Sequence, residues 1–434
     1  MRAAAITLSI PLAVLIALPA TAAATPQDLF GFGTRSPALA MTGVAFSEGA
    51  EASFLNPAGL SRVRRRSISL GFSAAAYSVN LDGDRFPIEA PRGSTIGFCL
   101  PLPFGGFLRD RLVLGGGFYT PVGVLLRGVV AYPDVPQFPV LDRVQVVAVQ
   151  FGAGMDLSGW VDGLRVGVGI SALADLTGDV LVRLNQENQF VSELETQLLS
   201  TFGPILGVSY DNGRFGVGAV WRSELMSHMG LDVQATDLPV EVPPLTVGGL
   251  VQYDPHTVAV EGVWHATDDL LLVAHATVRF WSGWPGPQQK TTMSSDLAPA
   301  PELSTVVSPR VAVEHTVRDT RFEMRLRAGY AFEPSPAPPA RDATVRDRDG
   351  RPRVEGGVPV QIPLRYLDND RHVFTAGIGI VRPVGDGARV TFDIYGQAHV
   401  LAPRDHDVAR TDGAQPMRTT GLVLAGGWSL GLEF

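Results

Sequence analysis

From residue 67 to the C-terminus the chain alternates apolar residues with polar or small ones, and a period of two leaves little choice of backbone conformation. Within residues 389–400, Arg389, Thr391, Asp393, Tyr395, Gln397 and His399 fall on one face, while Val390, Phe392, Ile394, Ala398 and Val400 fall on the other. Only an extended strand sorts residues in this way. The same pattern sets Arg321, Glu323, Arg325 and Arg327 against Phe322, Met324, Leu326, Ala328, Tyr330 and Phe332. At the C-terminus Leu422, Leu424, Trp428, Leu430, Leu432 and Phe434 oppose Gly421, Ala425, Gly427, Ser429, Gly431 and Glu433.

A soluble sandwich alternates as well, so connection lengths have to separate the two architectures. The pattern predicts fourteen strands, near 67–80, 94–102, 111–130, 143–157, 163–184, 200–210, 214–233, 257–265, 270–282, 305–318, 321–333, 371–383, 387–401 and 419–434. Connections after the even strands are short, such as 211–213, 266–269, 319–320 and 384–386. Those after the odd strands are long: 81–93, 131–142, 185–199, 234–256, 283–304, 334–370 and 402–418. Tight turns at one end and extended loops at the other are the habit of a membrane barrel. The expected fold is therefore all-β, a transmembrane antiparallel β-barrel of about 14 strands. Residues 246–253 also read as a strand, either a hairpin within a loop or a shift in the count.

Composition agrees with a chain that has two apolar boundaries. Charged residues make up 18% of the 434, glycine occurs 48 times, and mean hydropathy is +0.16. A net charge of −8 excludes a nucleic-acid partner, which requires a basic face. The basic cluster at 62–66 reads as a solvated edge or a headgroup contact. Cys99 is the only cysteine, so no internal disulfide forms, and its expected role is that of a small apolar side chain.

The first 24 residues have the arginine, apolar core and small-residue end of a secretory signal, with cleavage expected after Ala24. Residues 25–66 follow neither period. They are spaced by Gly31, Gly33, Gly43, Gly49 and Gly59 and carry Leu29, Phe30, Phe32, Met41, Phe46, Phe54 and Leu55, too apolar for a solvated tail. About fourteen strands enclose a lumen wider than wall side chains fill, so this stretch is expected to plug it. The expected organisation is a signal peptide over 1–24, a plug over 25–66 and a barrel over 67–434.

Residues 31–61, running through a small-residue tract into Asn56-Pro57-Ala58-Gly59-Leu60, resemble the plug of the FadL-type long-chain fatty-acid transporters of bacterial outer membranes. The segment LVLGGGFYTPVG at 112–123 resembles the family's third strand, whose kink opens the wall sideways. Gly115, Gly116 and Gly117 with Pro121 supply the means here, since glycine weakens a strand and proline removes a ladder donor. Residues 269–284 resemble its strand ending in a tryptophan-rich rim, and 326–340 with 367–372 resemble the flanks of its long sixth loop. The terminal Phe434 resembles the aromatic that such barrels show to their assembly machinery. The loop at 235–252 has no counterpart in the resemblance.

The resemblance implies a monomeric channel in the bacterial outer membrane, surrounded by its lipid, that takes up long-chain fatty acids or similar hydrophobic molecules passively. Loops would capture the ligand, the plug (Phe30, Phe32, Asn56, Pro57 and Gly59 foremost) would rearrange, and the ligand would leave sideways through the third strand. Arg325 or Arg327 is a candidate partner for an acidic headgroup, the alternative being ion pairs with Glu323 and Glu314 along the wall. Aromatic-hydrocarbon uptake, or a non-transporting scaffold for secreted proteins, fits the same barrel.

No enzyme is expected. The Gly167, Gly169, Ala172 fingerprint lies within an alternating strand with no helix after it, and no GxSxG occurs. No cofactor is expected and no metal site: Asp405 to Asp407, Asp347 with Asp349, and His265 with His275 each lack a full ligand set.

Overall fold

A computed structural model describes residues 26–434 apart from 109, 123–134, 143–146, 185–189, 237–244, 287–295, 298, 300, 340, 348, 386 and 407–416. The expected signal peptide and cleavage site lie outside the described residues.

Among the described residues, sixteen strands have eight residues or more. The first six are β1 (Ser67–Leu81), β2 (Arg92–Pro101), β3 (Leu112–Pro121), β4 (Ala148–Asp156), β5 (Leu164–Leu184) and β6 (Phe190–Asp211). Next come β7 (Phe215–Arg222), β8 (Leu225–Thr236), β9 (Leu245–Asp254), β10 (Thr257–Thr267) and β11 (Leu270–Arg279). The last five are β12 (Val306–Arg318), β13 (Glu323–Glu333), β14 (Arg371–Val384), β15 (Ala388–His406) and β16 (Met417–Glu433). All except β8 and β9 form an antiparallel ring, β7 pairing directly with β10 and β16 closing onto β1 from Ser67↔Glu433 to Leu81↔Thr419. Fourteen strands thus make the closed barrel, and closure leaves no unpaired edge in a medium without water.

The alternation points the way lipid demands. Ile394 is 49% exposed on the outer surface, whereas Gln397, on the opposite face of β15, is 4% exposed. Ile96, Val168, Val217, Val260, Val311, Leu326, Ile378 and Leu430 continue the apolar belt around the wall. Turns at one end are tight and connections at the other are long.

Two details differ from the sequence reading. The predicted seventh strand, 214–233, is two strands: β7 stays in the wall, while β8 leaves it to pair with β9 and, in parallel, with the outer part of β5 from Leu176↔Met229 to Arg183↔Thr236. The β6–β7 ladder ends at Ile205↔Arg222, where the next residue, Pro204, has no N–H to donate. Residues 190–199, read as loop, extend β6 against β5 beyond the barrel. Thr257 then takes up the wall position opposite Arg222.

Inside the barrel lie α1 (Pro26–Phe30), α2 (Arg35–Ala38), α3 (Ala52–Leu55) and two 3-10 turns, Gly49–Glu51 and Pro57–Arg62. Each is too short to be stable alone, so this segment takes its shape from the wall around it.

Candidate functional site

Inward-facing glycines are cut to fit the plug. A Cβ at Gly377 would fall 2.5 Å from the Cβ of Ala38, one at Gly97 2.5 Å from that of Ala50, and one at Gly218 2.5 Å from the Val44 carbonyl oxygen. Across the lumen Gly152, Gly154, Gly167 and Gly169 face Pro57 and its neighbours, and Gly207 makes room for the Asn56 amide. No other residue type lets backbone approach this closely.

Between these contacts, wall side chains satisfy plug backbone that no regular structure satisfies. The Glu261 carboxylate accepts the N–H groups of Gly43 (2.8 Å) and Ala45 (2.7 Å) and is oriented by His275 at 2.8 Å, whose other ring nitrogen meets Thr277 Oγ1 at 2.6 Å. Thr375 Oγ1 accepts from Ala40 N and donates to the Ala38 carbonyl, both at 2.9 Å. Arg310 donates to the carbonyls of Ala40 and Met41. Ala40 and Met41 have φ of +55° and +61°, a left-handed pair that costs free energy and is clamped here from both sides. Gln397 donates to the carbonyls of Phe30 and Pro37. Asn56, fully buried, donates to Val44 O at 2.6 Å and Val208 O at 3.0 Å and caps Ala58 N at 3.1 Å; Pro57 opens the 3-10 turn that follows. Gly59 packs on the backbone of Ser47.

On the tight-turn side of the plug, Arg325 and Arg327 line a polar cavity of about 430 Å³ with Arg35, Glu48, Glu51 and Asp393. Arg325 pairs with Glu323 at 2.7 Å and Glu48 at 3.3 Å, and Arg327 pairs with Glu314 at 2.8 Å and Asp393 at 2.5 Å. Arg35 completes the set, reaching Glu314 at 2.6 Å and Glu48 at 3.1 Å. Both headgroup candidates therefore sit in a lattice of charges that ties the plug to β12, β13 and β15. Burial pushes the Glu51 carboxyl up to about 7, against the pull of Arg35.

On the loop side the chemistry is different. Leu29, Met41, Val140, Trp281 and Val306 form apolar walls around a small chamber that also shows Arg279, Glu333, Arg371 and His399. Glu333 is spent on Arg279 (2.8 Å) and Arg310 (2.7 Å). Arg371, 4% exposed, has no hydrogen-bond partner for Nε or Nη1. The chamber holds about 20 Å³, room for a single water. Outward of it, Trp281 packs on Tyr253 and Trp284 on Tyr366, with Leu250, Leu303 and Leu364 in the same cluster. Phe138 and Leu141 reach down from another loop to meet Leu29 and Phe30. Apolar side chains of the loops thus pack down onto the first turn of the plug.

The glycines of β3 are fully laddered, from Gly93↔Pro121 to Pro101↔Val113 on one side and from Leu112↔Met155 to Tyr119↔Ala148 on the other. Gly117 and Gly115 face inward against Phe32 and Leu60, while Gly116 faces outward between Phe98 and Phe151. Asp347, Asp349 and Asp405 form no metal cluster among the described residues, Asp407 lies outside them, and His265 and His275 point to different partners. Sequence reasoning missed Glu261, Arg310, Arg371, Thr375 and Gln397. Each occupies an inward polar position of an alternating strand, a signal shared by dozens of others.

These features define a plugged membrane barrel with apolar loop clusters beside a small chamber at the plug. No family model matches the sequence, and no curated protein matches it. Among solved structures it is similar to a Pseudomonas aeruginosa FadL homologue, with a TM-score of 0.62 and 14% identity over 92% of this chain and 97% of that one. It is also similar to the P. putida toluene transporter TodX, with a TM-score of 0.52 and 12% identity over 94% and 99% of the two chains. The chain has the fold of these outer-membrane transporters.

Proposed function

We propose that this chain is a passive channel of the bacterial outer membrane for long-chain fatty acids or similar hydrophobic molecules. The carrying observation is the chamber beside Leu29 and Met41, partly apolar in lining, to which Arg371 contributes and where two of its buried donors have no hydrogen-bond partner. A guanidinium matches a carboxylate in geometry and charge, so Arg371 suits an acidic headgroup whose tail lies along the aromatic loop cluster. In this reading Arg325 fastens the plug through Glu48, and Arg327 supports the Glu314 carboxylate that holds Arg35. With room for one water, the chamber admits ligand only when the first turn of the plug moves, which withdraws Phe32 from Gly117 as well.

That withdrawal favours sideways exit at β3. An apolar chain gains about 0.8 kcal/mol per methylene on passing from water to lipid, and a lateral route spares it the charged cavity below. The TodX likeness keeps a neutral aromatic ligand as the second reading.

The test is uptake of labelled oleate and labelled toluene by cells lacking their own transporters. Oleate uptake that depends on this chain supports the reading; toluene uptake alone replaces it with the second. A disulfide between Leu114→Cys and Ala153→Cys, which face each other across β3 and β4, is expected to block uptake when oxidised and to release it when reduced. Uptake indifferent to oxidation removes the lateral exit.

A further inference from the structure

The tight turns at the plug-fastening end of the barrel are not alike. Those between β6 and β7, β10 and β11, and β12 and β13 are built from Asp211, Asn212, Gly213 and Arg214, from Asp268 and Asp269, and from Asp319, Thr320 and Arg321. Phe215 opens β7, and Phe322, 39% exposed, is the single apolar residue of the β12–β13 turn. Two turns depart from this. The β2–β3 turn presents Phe104, 47% exposed, and the β4–β5 turn presents Trp160, 72% exposed, followed by the exposed Val161. Each turn carries a backbone hydrogen bond: Phe104 N donates to Leu102 O at 2.9 Å, and Trp160 N to Leu157 O at 2.8 Å. Arg111, at the root of β3, lies against Gly159 and so joins the two turns.

Because β3 and β4 are neighbours, the two turns stand side by side. They continue downward the apolar outer surface of Ile96, Leu100, Leu114 and Phe151. Tight turns of such barrels face the periplasm, and tryptophan favours the membrane–water interface, where its ring is half in lipid and its N–H is wet. We propose that Phe104, Trp160 and Val161 form a membrane-inserted wedge, in which the β2–β5 sector dips deeper into the headgroup region of the periplasmic leaflet than the rest of the rim does. The partner is a phospholipid surface. The continuity with the lipid-facing belt favours it over a periplasmic protein, which would need a patch set apart from the belt. The wedge would hold the glycine-rich β3 at a fixed depth in the leaflet.

The experiment uses the protein in phosphatidylethanolamine–phosphatidylglycerol vesicles and subtracts the emission of Trp160→Phe from that of the wild type, which isolates one of six tryptophans. The expected difference emission is blue-shifted, quenched by lipids brominated near the glycerol end of the chain and spared by iodide. A red-shifted difference emission quenched by iodide and indifferent to bromolipid overturns the proposal and leaves the patch open to a soluble partner. Phe104→Trp in the Trp160→Phe background reads the second turn independently, with the same two outcomes. Neither measurement uses transport, so failure here leaves the channel reading untouched, and failed uptake leaves the wedge intact.

Discussion

The ring of Phe32 occupies the space that any side chain at position 117 would need, so a glycine of the wall and an aromatic of the plug define one contact. Gly117→Val is expected to expel Phe32, at a cost of about 1–3 kcal/mol typical of overpacking. The lower melting temperature should be largely restored in the double variant Gly117→Val, Phe32→Ala. Additive losses in a double-mutant cycle would show that the two residues do not share this space.

Glu261 holds two plug N–H groups with a single carboxylate. Glu261→Gln keeps the shape and removes the charge, and hydrogen bonds to charged groups contribute roughly 1.5–3 kcal/mol. We expect loss of that order in thermal stability, together with ion leakage across planar bilayers as the plug loosens. A variant that is as stable and as tight as the wild type would remove Glu261 from the fastening.

Glu51 titrates at 4.5 in the unfolded chain and at about 7 in the plug. Below 4.5 both states carry the proton, and between 4.5 and 7 only the folded state does, so this group's contribution to stability falls as pH rises through that window and is flat above it. Relative to the wild type, Glu51→Gln should gain stability across the same window and show no difference at lower pH. Parallel stability–pH curves for the two proteins would contradict it.

Arg371→Met keeps the length of the side chain and removes the free donors. Loss of a charge-assisted pair of roughly 1.5–3 kcal/mol weakens oleate binding by about tenfold or more and leaves a neutral aromatic unaffected. Equal losses for both ligands would assign Arg371 to packing alone.

How much of this was legible in the chain varies with the residue. The outward row of Phe392 and Ile394 follows from local spacing, because the pleat sends successive side chains to opposite faces wherever the strand lies. The parity of turns likewise gave the barrel and its fourteen strands. The split of 214–233 into β7 and β8 was hidden, because Pro204, which ends the ladder, lies on a different strand.

The sequence by itself determined the wall: its strand count, its inverted apolar face, and a glycine-spaced leading segment with no period of its own. Only the tertiary structure decided that Arg325 pairs with Glu48 of the plug and Arg327 with wall acids, while Arg371 lines the chamber with two donors that have no hydrogen-bond partner. The alternation that places all three inward is a property of one strand at a time. Which acid or backbone group each then meets depends on the stagger of strands around the closed ring and on the path of the plug across it, and both are set by contacts far apart in the chain.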